Sequence, residues 1–169
     1  MSSVATPTST PTPTVLSALG PLPDGVAPAR PAALDQPPTL EGAKAVATYF
    51  VLVYSYAYQT GDLKPWNTLV DPRCVFCESV RSNVETEKTL GRHLVGGAIS
   101  VTSATGTEVT VGRFFDLTLT LNEAPSRTID QSGTAFSETS GDDLKANVIV
   151  TYDGNWHIRE LSTKVRASA

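Results

Sequence analysis

The placement of proline divides this chain before any other feature is weighed. Nine of its twelve prolines, from Pro7 to Pro38, fall within residues 1–38, and that stretch holds no aromatic residue, the first being Tyr49. Proline fixes φ and lacks a backbone donor, so neither a helix interior nor a central strand can run through such a segment. The segment also offers little apolar area to offset the entropy lost on ordering. The expectation is a disordered Thr/Pro-rich tether over residues 1–38, with polyproline II character. Residues 16–26 carry enough apolar side chains to lie loosely on whatever follows.

A single folded unit is expected over residues 39–169. Ala43, Val46, Ala47, Phe50, Val53, Tyr54 and Ala57 recur at helical spacing, with Thr39 as N-cap and Gly61 as terminator, which predicts a helix over residues 40–59. Asp62 is placed to cap a short helix ending near Leu69, with Pro65 tolerated in its first turn. A third helix is expected over residues 74–90, with Phe76, Val80 and Val84 on one stripe.

Beyond residue 94 the period changes to two. Ile99, Val101 and Ser103 suggest a strand closed by a turn at Gly106. One long strand then runs from Val109 through Leu121, interrupted at Gly112 by a bulge or bend. An edge strand is expected over residues 127–131. Residues 144–152 and 156–165 flank Asp153-Gly154-Asn155, a hairpin signal. Helices first and an antiparallel meander afterwards make the fold class α+β.

Composition excludes several functions. The 169 residues carry a formal net charge of −4 and no basic run, so the Lys/Arg cluster of a nucleic-acid groove is missing. The longest apolar-rich run, residues 49–58, is far short of the roughly 20 residues of a membrane-spanning helix. Charged residues make up only 18%, with Thr, Ser and Gly in their place, as suits an exported protein. Met1 is followed directly by Ser2 and Ser3, with no export signal, which suggests a mature form whose signal has been removed.

Cys74 and Cys77 are the only cysteines. Zinc needs four ligands, and His93 and His157 stand at no supporting spacing. A thioredoxin-type pair should follow a strand and open a helix, whereas these follow a helix and a turn. The favoured reading is a structural disulfide in an oxidising compartment. No nucleophile elbow, Walker loop or dinucleotide fingerprint is present, and no cofactor or metal is expected. Asp142-Asp143 and Glu85/Glu87 read as solvated surface, and His93 as a cation near a helix end. No catalytic residue is assigned. Tyr56, Tyr58, Trp66 and His157 are the candidate ligand-binding residues, because aromatic groups with polar tips at a helix end suit a partly wet site. Ordinary packing accounts for the aromatic ones at least as well. His157 alternates with Trp156 and Ile158 and should face away from the core that they line.

Three helices followed by a bent sheet ending in Tyr152-Asp153-Gly154-Asn155-Trp156-His157-Ile158 resemble the cone-shaped fold of nuclear transport factor 2 and ketosteroid isomerase. In that fold a curved sheet wraps the first helix and leaves a pocket at its wide end. Glu41-Gly42-Ala43, Thr60-Gly61-Asp62 and the run from Asp71 to Cys77 resemble, over residues 28–165, an actinobacterial family of secreted, mostly lipidated proteins, the domain of unknown function 6318. The resemblance implies an exported cone domain on an N-terminal lipid anchor, with no assigned activity. No lipobox cysteine stands in the residues given, so the anchor is inferred from the resemblance alone.

The expected function is a non-catalytic, extracytoplasmic module that binds a ligand, a cell-envelope component or a protein. One rival is a small enzyme using the cone pocket for acid–base chemistry, which requires a titratable group of perturbed pKa there. Another is a closed cone acting through its outer sheet face.

Overall fold

The computed structural model describes residues 21–166. Helix α1 (Leu40–Thr60) runs through the middle of the molecule. Thr39 caps it by accepting from the Gly42 amide at 2.9 Å, and Gly61 ends it at φ 74°, a left-handed position that costs glycine nothing. Ala43, Val46, Ala47, Thr48, Phe50, Val53 and Ala57 are fully buried, and Tyr49, Val51, Leu52 and Ser55 nearly so. Burial on so many sides means that α1 is packed by several elements, more than a one-sided amphipathic stripe conveys.

Helix α2 (Lys64–Asn67) is a single turn, shorter than expected, with Asp62 accepting from the Lys64 amide at 3.0 Å. Helix α3 (Val75–Thr89) buries Cys77, Val80 and Val84. Strands β1 (His93–Gly96), β2 (Ile99–Thr110), β3 (Phe114–Glu123), β4 (Ser126–Ile129), β5 (Ala135–Thr139), β6 (Asp142–Tyr152) and β7 (Trp156–Val165) follow. They form an antiparallel four-stranded sheet in the order β2-β3-β6-β7 and a small sheet in the order β1-β4-β5. Bulges between Val101 and Ser103, Glu108 and Thr110, and Ile149 and Val150 bend the larger sheet. Its inner face carries Phe115, Leu117, Leu119 and Leu121 from β3, and Ala146, Val148 and Val150 from β6, against α1. This is the α+β arrangement expected, helices packed on antiparallel sheet.

Three strand expectations need correction. Gly106 is mid-strand in β2 and makes no turn. It is glycine because a Cβ there would meet the Asp116 carbonyl oxygen at 2.4 Å and Leu117 Cδ2 at 2.6 Å, across the β2–β3 pairing. Gly112, at φ 65°, belongs to the turn between two strands, where its amide donates to the Glu108 carboxylate at 2.5 Å. The alternation of apolar residues simply resumes on the far side of that turn. The edge strand expected over residues 127–131 is β4, the middle strand of the small sheet. It is flanked by the short β1 and by β5, which is exposed along its whole length, so neither neighbour carries an apolar pattern.

The tether boundary also moves. Residues 1–20 lie outside the described residues, but residues 21–38 are fixed on the domain. Asp24 accepts from the Gly96 amide at 2.8 Å and from Gln59 Nε2 at 3.2 Å, and the Gly25 amide donates to Gln59 Oε1 at 2.9 Å. Pro28 is buried. A 3₁₀ turn, Ala32–Asp35, packs on α1 and accepts the Trp156 indole N–H on the Ala33 carbonyl at 3.0 Å. The segment makes no strand or long helix, as its prolines require. It is held by capping groups and main-chain acceptors, which composition does not reveal.

Candidate functional site

A cavity of about 110 Å³ lies between the helices and one end of the larger sheet. Phe50, Val51 and Tyr54 of α1, Trp66 of α2 and Phe76 of α3 form one wall. Ile99, Leu121, Leu144, Ala146 and Leu161 form the sheet side, and Glu123 and Thr163 stand with them. Thr163 is exposed and Tyr54, Phe76, Glu123 and Leu144 are half-buried, so the cavity reaches solvent on this side.

The aromatic wall is a connected stack. Phe50 lies on Trp66 with ring centroids 4.1 Å apart, and Tyr54 lies 6.3 Å from Trp66, 6.4 Å from Phe76 and 4.9 Å from Tyr58. Trp66 is fully buried, and its indole N–H donates to the Cys77 carbonyl at 3.2 Å. Cys74 and Cys77 form the disulfide, and Cys74 Sγ accepts from the Cys77 amide at 3.2 Å as the cap of α3. Phe76 sits inside that cross-linked turn. The disulfide therefore fixes two members of the wall, Phe76 through the chain and Trp66 through a hydrogen bond. A disulfide of this kind persists in oxidising compartments.

Side-chain alternation explains the carboxylate. Phe115, Leu117, Leu119 and Leu121 point inward, and two residues on, Glu123 continues the same stripe. Its cross-strand partner is Asp142, which begins the inward stripe of β6. Burial raises the Glu123 carboxyl above its ordinary value, and the nearby Asp142 charge raises it further. Burial likewise raises the Tyr54 phenol, with Tyr58 and Glu123 adding to the effect. The pocket is thus an apolar recess with a reluctant carboxylate and a phenol that stays protonated.

Of the four candidate residues, Trp66 lines the cavity. Tyr58 packs against Tyr54 without lining it. Tyr56 donates its hydroxyl to Asp62 Oδ2 at 2.8 Å, tying α1 to the loop before α2, and is not part of the lining. His157 is half-buried between buried Trp156 and Ile158, as alternation implied, and lies 3.1 Å from Asp153 Oδ1 across the hairpin turn, outside the cavity. Sequence reasoning missed Tyr54, assigned to the core stripe, and Glu123, whose signal was its parity with Leu121. Among the described residues no group of three or more His, Cys, Asp or Glu side chains could hold a metal ion. None of the described helices is long and apolar enough to cross a membrane.

The family model of unknown function DUF6318 matches residues 24–162, most of the chain. The chain belongs to that family. The matched span begins at Asp24, the first residue of the docked N-terminal segment to bond the domain, so the segment is part of the DUF6318 unit. No curated protein matches the chain. Among solved structures, the intermembrane-space region of chloroplast protein ARC6 is similar at 14% identity and a TM-score of 0.58, over 76% of this chain and 98% of that one. An uncharacterised protein with a cystatin-like fold from Caulobacter vibrioides matches at 9% identity and a TM-score of 0.48, over 74% and 90%. The first likeness is one of fold.

Proposed function

We propose that this DUF6318 domain is a non-catalytic binding module, held outside the cytoplasm, that receives a small apolar group in the cavity beneath Tyr54 and Trp66. The observation that carries the reading is the cavity itself: an apolar recess, walled by aromatic rings, reaching solvent at one end of the core. Pockets for whole drug-sized ligands span about 300–1,000 Å³, while a dry apolar cavity of roughly 150 Å³ accommodates benzene. At about 110 Å³ this one suits a single short alkyl group, with the remainder of the ligand outside. The likeness to the cone of nuclear transport factor 2, with a pocket at its wide end, belongs to the same proposal.

The buried disulfide supports an oxidising location. With residues 21–38 docked, any spacer to an inferred lipid anchor precedes residue 21, and a cell-envelope component or a protein carries the apolar group.

The test is titration with n-pentanol, followed by amide chemical shifts. Saturable shifts confined to α1, α2, α3, the start of β2 and the cavity ends of β3, β6 and β7, and lost in Thr163→Trp at the exposed rim, are the expected result. Shifts scattered over the surface, or unchanged in Thr163→Trp, would reject the site.

A second reading is an acid–base enzyme, favoured by the raised carboxyl of Glu123 at the cavity. It requires turnover of a substrate that Glu123→Gln abolishes while the fold is retained.

A further inference from the structure

The end of the inner face where the cavity opens carries two carboxylates on adjacent strands. Glu123 and Asp142 are directly paired in the β3–β6 register, and both continue inward-facing stripes. Like charges directly opposite one another on a sheet destabilise it. Among the described residues neither carboxylate has a Lys, Arg or His nitrogen within 4.0 Å. Lys145 of β6 and Lys164 of β7 pair with each other and alternate onto the opposite face of the sheet. Glu78 and Glu85, by contrast, are matched by Arg81, and the buried Asp71 by Arg73.

The wall opposite adds a second attraction. Tyr54 and Phe76 border the opening, half-buried, and aromatic faces draw cations at a desolvated site. Resting on the binding reading above, we infer that the ligand of this cavity is a cation-headed apolar molecule of the alkylamine class. Its short hydrocarbon tail fills the recess against Trp66 and Phe50, and its ammonium sits at the mouth between Glu123, Asp142 and the ring of Tyr54. An ammonium there supplies the charge that the paired strands lack, which a neutral or anionic head cannot do.

The experiment compares n-pentylamine, n-pentanol and n-pentanoate on the same chain at pH 7.5 and low salt, by calorimetry and amide shifts. The amine is expected to bind about tenfold more tightly than the alcohol, the margin given by one charge-assisted hydrogen bond, and the carboxylate not at all. With amine and alcohol measured on the same variant, Glu123→Gln should bring the amine-to-alcohol affinity ratio down to about one, and Asp142→Asn should lower that ratio more weakly. Equal affinity for amine and alcohol, or an amine preference that survives Glu123→Gln, overturns the cationic head while leaving the cavity reading intact. Failure of all three probes to bind removes the cavity reading and this inference with it.

Discussion

The two ends of the inner sheet face are built from the same alternation and finished in opposite ways. At one end Phe115, Val150, Trp156 and Ile158 are buried almost completely, and the docked N-terminal segment closes over them, Ala33 accepting the Trp156 indole N–H. Phe115 and Tyr152 both lie against Trp156, at 5.7 and 5.1 Å between centroids. At the other end Leu121, Leu144 and Leu161 face a recess, and the stripes finish in carboxylates. A bent sheet around one helix leaves space at its ends. Here a chain segment from outside the sheet fills one of them, and only charge marks the other. The contrast separates stability from function along a single surface.

The comparison breaks most readily at the closed end. Trp156→Ala removes a nearly buried indole and leaves the Ala33 carbonyl without its donor; it should cost about 3–5 kcal/mol in urea unfolding. It should leave pentanol binding at the other end unchanged in whatever fraction remains folded. A loss of affinity as large as the loss of stability would mean that the two ends are one cooperative unit.

Next in size is the disulfide. Its four-residue loop limits the effect on the unfolded chain to about 2 kcal/mol, so Cys74→Ser with Cys77→Ser should lower stability by about that amount. It should also weaken binding, because Phe76 and Trp66 lose their common support. Unchanged affinity would show that the wall stands without the cross-link. Phe76→Ala should cost about 1 kcal/mol, less than a fully buried aromatic, because the side chain is only partly buried.

Glu123→Gln is expected to have the smallest effect and the opposite sign. The folded carboxyl titrates above its unfolded value, so its contribution to stability is fully present below the unfolded pKa and is lost as pH rises through the folded one. The variant should therefore match the native chain near pH 4 and exceed it by about 0.5 kcal/mol at pH 7.5. Asp71 provides a control of the reverse kind. Side-chain hydrogen bonds from Arg73 hold it down at about 2, so Asp71→Asn should be the less stable partner at neutral pH, and the difference should fade as pH falls through about 2.

Elements with local signals were legible in the sequence. Thr39 and Gly61 bounded α1 to within a residue, and Asp153-Gly154-Asn155 located the β6–β7 hairpin, because capping and turn chemistry are written in neighbouring residues. Gly106 and Gly112 were misassigned because a glycine needed for close strand approach and one needed for positive φ look identical in a sequence. The docking of residues 21–38 rests on contacts such as Asp24 with Gly96, seventy-two positions apart, and no periodicity carries those. Within the site, Trp66 was found by its position after α1. Glu123 was legible in principle, but a polar residue ending an apolar stripe ordinarily marks the end of burial, and only the cavity gives it another meaning.

The docking of the N-terminal segment has a mechanical side. Among the described residues, force drawn from the N-terminal side would arrive first at Asp24, whose bonds to Gly96 and Gln59 are exposed and few, and only afterwards at Pro28, Ala33 and α1. These attachments would release one after another, each adding slack before the next is strained. Up to the point where Ala33 lets go of Trp156, the segment acts as a fuse, and the helix, the sheet and the cavity they enclose keep their shape while it lengthens.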